Sequence, residues 1–183
     1  MNQKLKLALG LAGFALVIVI AVLAYNAFGG QLNRGRFAPE QGGEQQAPDF
    51  SMTDADGNSI KLSELIANGK PIVLNFWASW CPPCKAEMPD FEKVYQELGA
   101  EVRFMMVNLT DGMQETKEKA ETYISGEGYT FPVFFDTKKE GASAYGIRSI
   151  PTTFFIDKDG YIVTGVQGSI DESTLLQGIE MIR

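Results

Sequence analysis

Histidine is absent from this 183-residue chain, and cysteine occurs only twice. The first absence excludes catalytic triads with a histidine base, zinc or copper held by histidine, and haem with an axial histidine. Two cysteines cannot build a four-cysteine zinc or iron–sulfur site, but they can form one disulfide. We therefore expect neither a metal nor a bound cofactor.

Positive charge is also scarce, because 16 basic residues stand against 23 acidic ones and the net charge is −7. This balance argues against binding of nucleic acid, which needs a basic face to neutralise phosphates. The length suits one domain with a sizeable core and is short for two.

Polar residues are missing altogether from residues 7–24. Extended to residue 28, this run would form a helix of about 33 Å, enough to cross a hydrocarbon core of about 30 Å. It is longer than the apolar region of about 7–15 residues in a signal peptide, so we favour an uncleaved signal-anchor over a cleaved signal peptide. Lys4 and Lys6 precede the run, which predicts a cytoplasmic N-terminus and a single pass through the cell membrane.

The predicted organisation has three parts: a transmembrane helix over residues 1–28, a flexible linker over residues 29–48 and one domain over residues 49–183. The linker is rich in glycine and glutamine and has no apolar periodicity. With the N-terminus inside, the domain is expected to be extracytoplasmic, in a periplasm or on the outer face of the cell.

Apolar periodicity along the domain predicts strands alternating with helices, then a hairpin and a last helix. The predicted strands are 49–53, 59–62, 71–77, 102–109, 132–135, 152–156 and 161–166. The predicted helices are marked by residues 84–98, 113–124, 138–145 and 175–182. Ser169 and Glu172 have the spacing of a capping box for the last helix. This order is typical of an α/β sandwich.

The segment Trp80-Cys81-Pro82-Pro83-Cys84 follows the strand 71–77 and opens a helix. Residues three apart are neighbours on a helical turn, so the two sulfurs can meet. The N–H groups and dipole at a helix N-terminus favour a thiolate, which predicts Cys81 as the nucleophile and Cys84 as the buried resolving thiol. Pro82 suits the first helical positions, and Pro82 and Pro83 together stiffen the loop between the sulfurs. Because so short a loop makes a static disulfide weakly stabilising, and further metal ligands are missing, we favour a redox-active disulfide.

Residues 74–85 (Leu-Asn-Phe-Trp-Ala-Ser-Trp-Cys-Pro-Pro-Cys-Lys) resemble the active site of the thioredoxin superfamily. Residues 150–154 (Ile-Pro-Thr-Thr-Phe) are similar to its cis-proline loop. Residues 47–50 and 131–133 resemble the TlpA/ResA-like branch of membrane-tethered, extracytoplasmic thiol–disulfide oxidoreductases. The resemblance covers about residues 47–183. It implies a thioredoxin-like sandwich, with a central mixed sheet flanked by helices and an extra N-terminal β-hairpin.

The resemblance also implies roles for residues around the cysteine pair. Pro151 is expected to be cis and to pack beside the pair, while Ile150 offers backbone groups to a substrate peptide. Trp80 is expected to flank the exposed sulfur, and Trp77 to pack in the core.

Asn75 departs from thioredoxin, which has a buried aspartate at this position of the strand. An asparagine cannot accept a proton, so another group or water must handle proton transfer around Cys84. The ResA-like branch has this asparagine together with an acid after the next strand, where this chain has Asp111. The alternative is that Asp111 is a loop acid that caps the next helix. Glu87 is a further candidate, although as an exposed acid in the first turn it is expected to stabilise the helix instead.

The leading hypothesis is an anchored reductase of disulfides in exported proteins. The resemblance suggests apocytochrome c as one substrate, during cytochrome c maturation, and a membrane thiol carrier as the electron donor. The alternative is an oxidase or isomerase that donates disulfides. A copper-delivery protein on a similar fold would need a histidine ligand. A peroxidase would need a Pro-x-x-x-Thr-x-x-Cys pattern, which the segment before Cys81 lacks.

Overall fold

The computed structural model describes residue 17 and residues 45–183, and residues 45–183 form eight strands and five helices. The strands are β1 (Gln45–Gln46), β2 (Ser51–Thr53), β3 (Ser59–Lys61), β4 (Ile72–Trp77), β5 (Arg103–Asn108), β6 (Val133–Phe135), β7 (Thr152–Ile156) and β8 (Tyr161–Gln167). The helices are α1 (Leu62–Ile66), α2 (Pro82–Leu98), α3 (Lys117–Glu127), α4 (Glu140–Ala144) and α5 (Glu172–Glu180). All strands join one mixed sheet in the order β1-β8-β7-β4-β5-β6-β2-β3.

The central strand β4 is apolar except for Asn75, and all six of its residues are buried. It pairs in parallel with β5 and antiparallel with β7. A parallel pair needs a crossover connection, which α2 supplies. Since Phe76 pairs with Thr152, the end of β4 and the start of β7 lie side by side. The segment that follows β4 and the segment that precedes β7 therefore meet beyond the same end of these two strands.

Each face of the sheet has its own apolar cluster. One contains Met88 and Phe91 of α2 together with Leu175 of α5. The other contains Phe50 and Leu62, which pack with the opposite side chains of β4 and β5. Burial on both faces explains why β4 is a continuous apolar run instead of an alternating one.

Close approach of α5 to the sheet depends on Gly178. A Cβ atom at this position would lie 2.2 Å from the ring of Phe155 in β7. Any side chain there would push the helix away from the sheet, so the residue type is fixed by packing.

The predicted strands and most predicted helices are confirmed, including the N-terminal hairpin of β2 and β3. Three details of the sequence analysis are wrong. Helix α3 starts after Thr116, which caps it, and Met113 lies outside with 82% of its surface exposed. Helix α5 is capped by Asp171, whose side chain accepts from Thr174, and not by Ser169. The short helix α1 follows directly from β3 and was not predicted.

The boundary between linker and domain also differs from the prediction. β1 pairs with β8 through Gln45 and Gln46, and Ala47 is buried, so the fold extends upstream of residue 49 at least to Gln45. The predicted transmembrane helix (residues 1–28) and the first part of the linker lie outside the described residues, apart from residue 17. Within the described part of the chain, no helix has the length and apolar character to span a membrane.

Candidate active site

The cysteine pair lies where β4 gives way to α2. Cys81 is the N-cap of α2, and its sulfur accepts a hydrogen bond from the Cys84 backbone N–H at 3.2 Å. Pro82 and Pro83 occupy the first two helical positions, where a missing N–H leaves no partner unsatisfied. A disulfide joins Cys81 and Cys84. The two sulfurs therefore meet at the start of the helix, as their spacing in the sequence predicted.

The outer side of the pair opens to a pocket of about 380 Å³. Trp80 lies at the pocket with 47% of its surface exposed, whereas Cys81 is only 2% exposed. The Cys81 sulfur lies 3.8 Å from the carbonyl oxygen of Ile150. The Ile150–Pro151 peptide bond is cis, as the resemblance implied. The pocket is lined by Trp80, Cys81, Pro82, Pro83, Leu109, Ile147, Arg148, Ser149 and Ile150.

This lining is mostly apolar and carries one charged side chain, that of Arg148. The backbone of Ile150 borders the same space as the Cys81 sulfur. An extended peptide could therefore lie in the pocket with a disulfide against Cys81. Pro151 is buried. It lies next to the end of β4, because the following residue, Thr152, pairs with Phe76 of that strand.

The inner side of the pair is buried and carries an acid. Cys84 is fully buried, and Glu87, one helical turn further along α2, is 1% exposed. The Glu87 carboxylate accepts hydrogen bonds from Asn75 Nδ2 at 2.8 Å and from the Ile170 N–H at 3.0 Å. The expectation that Glu87 is an exposed acid is therefore wrong, because the side chain points into the core.

Burial raises the pKa of Glu87 from 4.5 to about 7, although the hydrogen bonds from Ile170 and Asn75 both act to lower it. A group with such a pKa can gain or lose a proton near neutral pH. Asn75 also donates to Thr153 Oγ1 at 2.9 Å, and its own oxygen has no partner among the described residues. The asparagine thus links β4, β7 and the acid of α2.

Asp111 lies in the loop after β5 but does not line the pocket. Its carboxylate accepts hydrogen bonds from the N–H groups of Met113 (2.8 Å) and Glu115 (2.9 Å). The Glu115 N–H, and then that of Met113, hold the pKa of Asp111 below its ordinary value. Asp111 is therefore a loop acid, as the alternative supposed. The part of that alternative in which it caps the next helix is wrong, because Thr116 caps α3.

Glu115 is a buried acid that the sequence analysis missed. It is 0% exposed, and its carboxylate accepts hydrogen bonds from Ser79 and from the side chain of Asn108. Ser79 is two residues before Cys81, so this acid contacts the segment that leads to the nucleophile. No motif or apolar period in the sequence marks it, because its partners are 36 and 7 residues away.

The chain is similar to proteins that handle thiols and disulfides. A model described as the AhpC/TSA family matches residues 44–164. Over 169 residues the chain is 32% identical to the thiol-disulfide oxidoreductase ResA of Bacillus subtilis, covering 92% of this chain and 89% of that protein.

Solved structures give the same result. StoA from Bacillus subtilis is 33% identical with a TM-score of 0.61, covering 71% of this chain and 95% of that one. A thiol:disulfide interchange protein of the thioredoxin family from Chlorobium tepidum is 27% identical with a TM-score of 0.66, covering 78% and 98%. The similarity therefore extends over most of the chain, and the thioredoxin-like fold is common to all.

Proposed function

Since the chain belongs to the AhpC/TSA family and is a thiol–disulfide oxidoreductase of the ResA kind, we propose that it reduces disulfides in exported proteins outside the cytoplasm. The proposal has three parts: the order of the thiol reactions, the direction of electron flow and the location of the domain.

In the reducing direction, the Cys81 thiolate attacks one sulfur of a substrate disulfide, and the other substrate sulfur leaves as a thiolate. Cys84 then attacks the Cys81 sulfur of the mixed disulfide, and the second substrate thiolate leaves. The substrate gains two electrons and two protons, and the enzyme is left with the Cys81–Cys84 disulfide. Glu87 lies three residues from Cys84 on the same helix, and in this proposal it accepts the Cys84 proton before this second attack.

The direction of electron flow is supported by the surroundings of the Cys81 sulfur, which add little to the stabilisation of a thiolate by the N-terminus of α2. Pro82 and Pro83 have no N–H to donate. The Cys84 N–H donates to the sulfur at 3.2 Å. The Lys85 ammonium lies 4.5 Å from the centre of an aromatic ring of α3. A weakly stabilised thiolate disfavours the reduced dithiol and gives the pair a low reduction potential.

The location is proposed from the N-terminal sequence. The apolar run 7–24, preceded by Lys4 and Lys6, supports a signal-anchor that places the domain outside the cytoplasm. Residues 29–44 would then connect anchor and domain. The electron donor would be a membrane thiol carrier, and apocytochrome c would be one substrate, as the ResA-like resemblance suggests.

The reduction potential of the cysteine pair tests the direction of the reaction. The full-length protein in detergent is equilibrated in thiol–disulfide buffers at pH 7, and free thiols are counted by alkylation and mass spectrometry. We expect a potential below about −230 mV, near the reducing proteins of this fold. A value above about −160 mV would overturn the reductase proposal.

Disulfide donation is the second candidate, and Arg148 is the observation in its favour. Its positive charge lines the pocket and would stabilise a Cys81 thiolate. However, Arg148 is exposed, so water and salt screen its charge. A high potential that falls when Arg148 is replaced by Gln would establish this second candidate.

A further inference from the structure

Glu115 is a buried acid without a part in the thiol reactions. Its carboxylate accepts hydrogen bonds from Ser79, directly before Trp80, and from Asn108, directly before Leu109. Trp80 and Leu109 both line the pocket beside Cys81. We propose that Glu115 is a positioning residue that fixes the spacing of these two parts of the pocket and thereby determines how well a peptide disulfide fits. The proposal rests on the thiol–disulfide exchange activity and not on its direction.

Glu115 with its partners Ser79 and Asn108 is called the clamp below, and neighbouring hydrogen bonds hold it in place. The Glu115 N–H donates to Asp111 Oδ1 at 2.9 Å, and the Glu115 carbonyl accepts from the Gly112 N–H at 2.9 Å. Asn108 Oδ1 accepts from the Thr110 hydroxyl at 2.8 Å, which orients the amide that donates to Glu115. The Glu115 side chain has no exposed surface. Moving it would leave buried polar groups without hydrogen bonds, so it holds the Ser79 and Asn108 segments at a constant spacing.

The arrangement of donors predicts which substitution the clamp tolerates. The Ser79 N–H (2.9 Å) and Asn108 Nδ2 (2.7 Å) both donate to Oε1 of Glu115. Within residues 45–183, Oε2 accepts a hydrogen bond from the Ser79 hydroxyl alone (2.7 Å). A glutamine can place its oxygen at the Oε1 position and its amide at the Oε2 position, because a hydroxyl accepts as readily as it donates. Glu115→Gln should therefore keep the clamp without its charge, whereas Glu115→Ala removes it.

The test compares two substrates on the reduced full-length protein in detergent. One is a peptide with an intramolecular Cys-x-x-Cys disulfide, and the other is hydroxyethyl disulfide, which is too small to span the pocket. Glu115→Ala is expected to lower kcat/KM for the peptide about tenfold, mainly through KM, because hydrogen bonds to a charged group are lost. For hydroxyethyl disulfide we expect a change below twofold. Glu115→Gln and the exposed control Glu118→Ala should stay within twofold of the unchanged protein on both substrates.

A second readout does not depend on catalysis. Hydrogen exchange of the Ser79 amide should be at least tenfold faster in Glu115→Ala and unchanged in Glu115→Gln, because this N–H donates to the carboxylate. If Glu115→Ala fails to fold, Ser79→Ala replaces it. That variant loses only the hydroxyl hydrogen bond, and a two- to threefold rise in KM for the peptide is expected.

Three results would overturn the proposal: an unchanged peptide KM in folded Glu115→Ala, equal losses on both substrates, or a Glu115→Gln variant as impaired as Glu115→Ala. The last would mean that the charge matters and not the clamp. Failure of the activity itself would look different, because the unchanged protein would then reduce neither substrate.

Discussion

Two buried glutamates accompany the cysteine pair, and their hydrogen-bond partners differ. Glu87 follows Cys84 by one helical turn, and each of its oxygens accepts from a separate N–H donor. Glu115 binds Ser79, two residues before Cys81, and both of its N–H donors meet one oxygen. Burial alone therefore does not decide what an acid does. The placement of its donors decides which segments of the chain it holds together.

These different partners are the basis for proposing different roles for Glu87 and Glu115. Glu87 has two N–H partners and a pKa raised by burial to about 7, so it can exist in either protonation state near neutral pH. When Glu87 is protonated, its carboxylic O–H can donate a hydrogen bond to the Asn75 oxygen if the amide turns over, because that oxygen has no other partner among the described residues. Glu115 accepts three hydrogen bonds, two from Ser79 and one from Asn108, and these contacts hold its side chain in one position.

The largest expected effect distinguishes the role of Cys81 from that of Cys84. Cys81→Ser should abolish reduction of peptide disulfides, a loss of at least about a thousandfold, because the attacking sulfur is gone. Cys84→Ser should still attack and then accumulate a mixed disulfide, since the resolving sulfur is missing. Mass spectrometry under non-reducing conditions measures the adduct. A stable adduct with Cys81→Ser instead would reverse the assigned roles.

The next effect concerns the pH dependence of stability, which we attribute mainly to Glu87. Its pKa is raised from 4.5 to about 7 on folding, so the folded state binds more protons than the unfolded state between these values. The free energy of unfolding should therefore fall as pH rises, by roughly 2 to 3 kcal/mol between pH 5 and 8, and then level off. Urea unfolding of the oxidised protein measures this.

Glu87→Gln should remove most of that pH dependence, because the glutamine cannot ionise. The exposed Glu97→Gln on the same helix is the matched control and should leave the slope unchanged. If Glu87→Gln retains the full slope, another group is responsible and the proton role of Glu87 would be withdrawn.

The smallest expected effect tests the support behind Glu115. Asp111→Ala removes the acceptor for the Glu115 and Met113 N–H groups. We expect a decrease in Tm of a few degrees and a rise of less than threefold in the peptide KM, since the carboxylate of Glu115 keeps its own partners. Asp56→Ala, in an exposed turn, should change neither quantity. A loss as large as that of Glu115→Ala would show that the loop depends on Asp111 instead.

The sequence predicted the elements that have strong apolar patterns and the motif that has a fixed spacing. β4, α2 and the cysteine pair belong to this group, because local residues determine them. Glu87 could also have been placed correctly. It lies three residues after Cys84 and four before Phe91, on the apolar face of the same helix.

Other features depend on contacts that are remote in sequence. β1 joins the sheet by backbone pairing of two exposed glutamines, so no apolar pattern precedes it. Glu115 becomes buried only because Ser79, 36 residues earlier, folds against it. A charged residue between Met113 and Ala120 gives no local sign of such a contact, and only the tertiary structure reveals it.

The contrast between the two tryptophans gives the molecule two optical reporters. Trp77 ends β4 inside the core with no exposed surface, whereas Trp80, three residues later, faces the pocket. A shielded indole emits at shorter wavelength than a hydrated one. A peptide in the pocket should therefore shift only the long-wavelength part of the fluorescence, whereas unfolding should shift both parts. Binding and denaturation can thus be followed separately in one unlabelled sample.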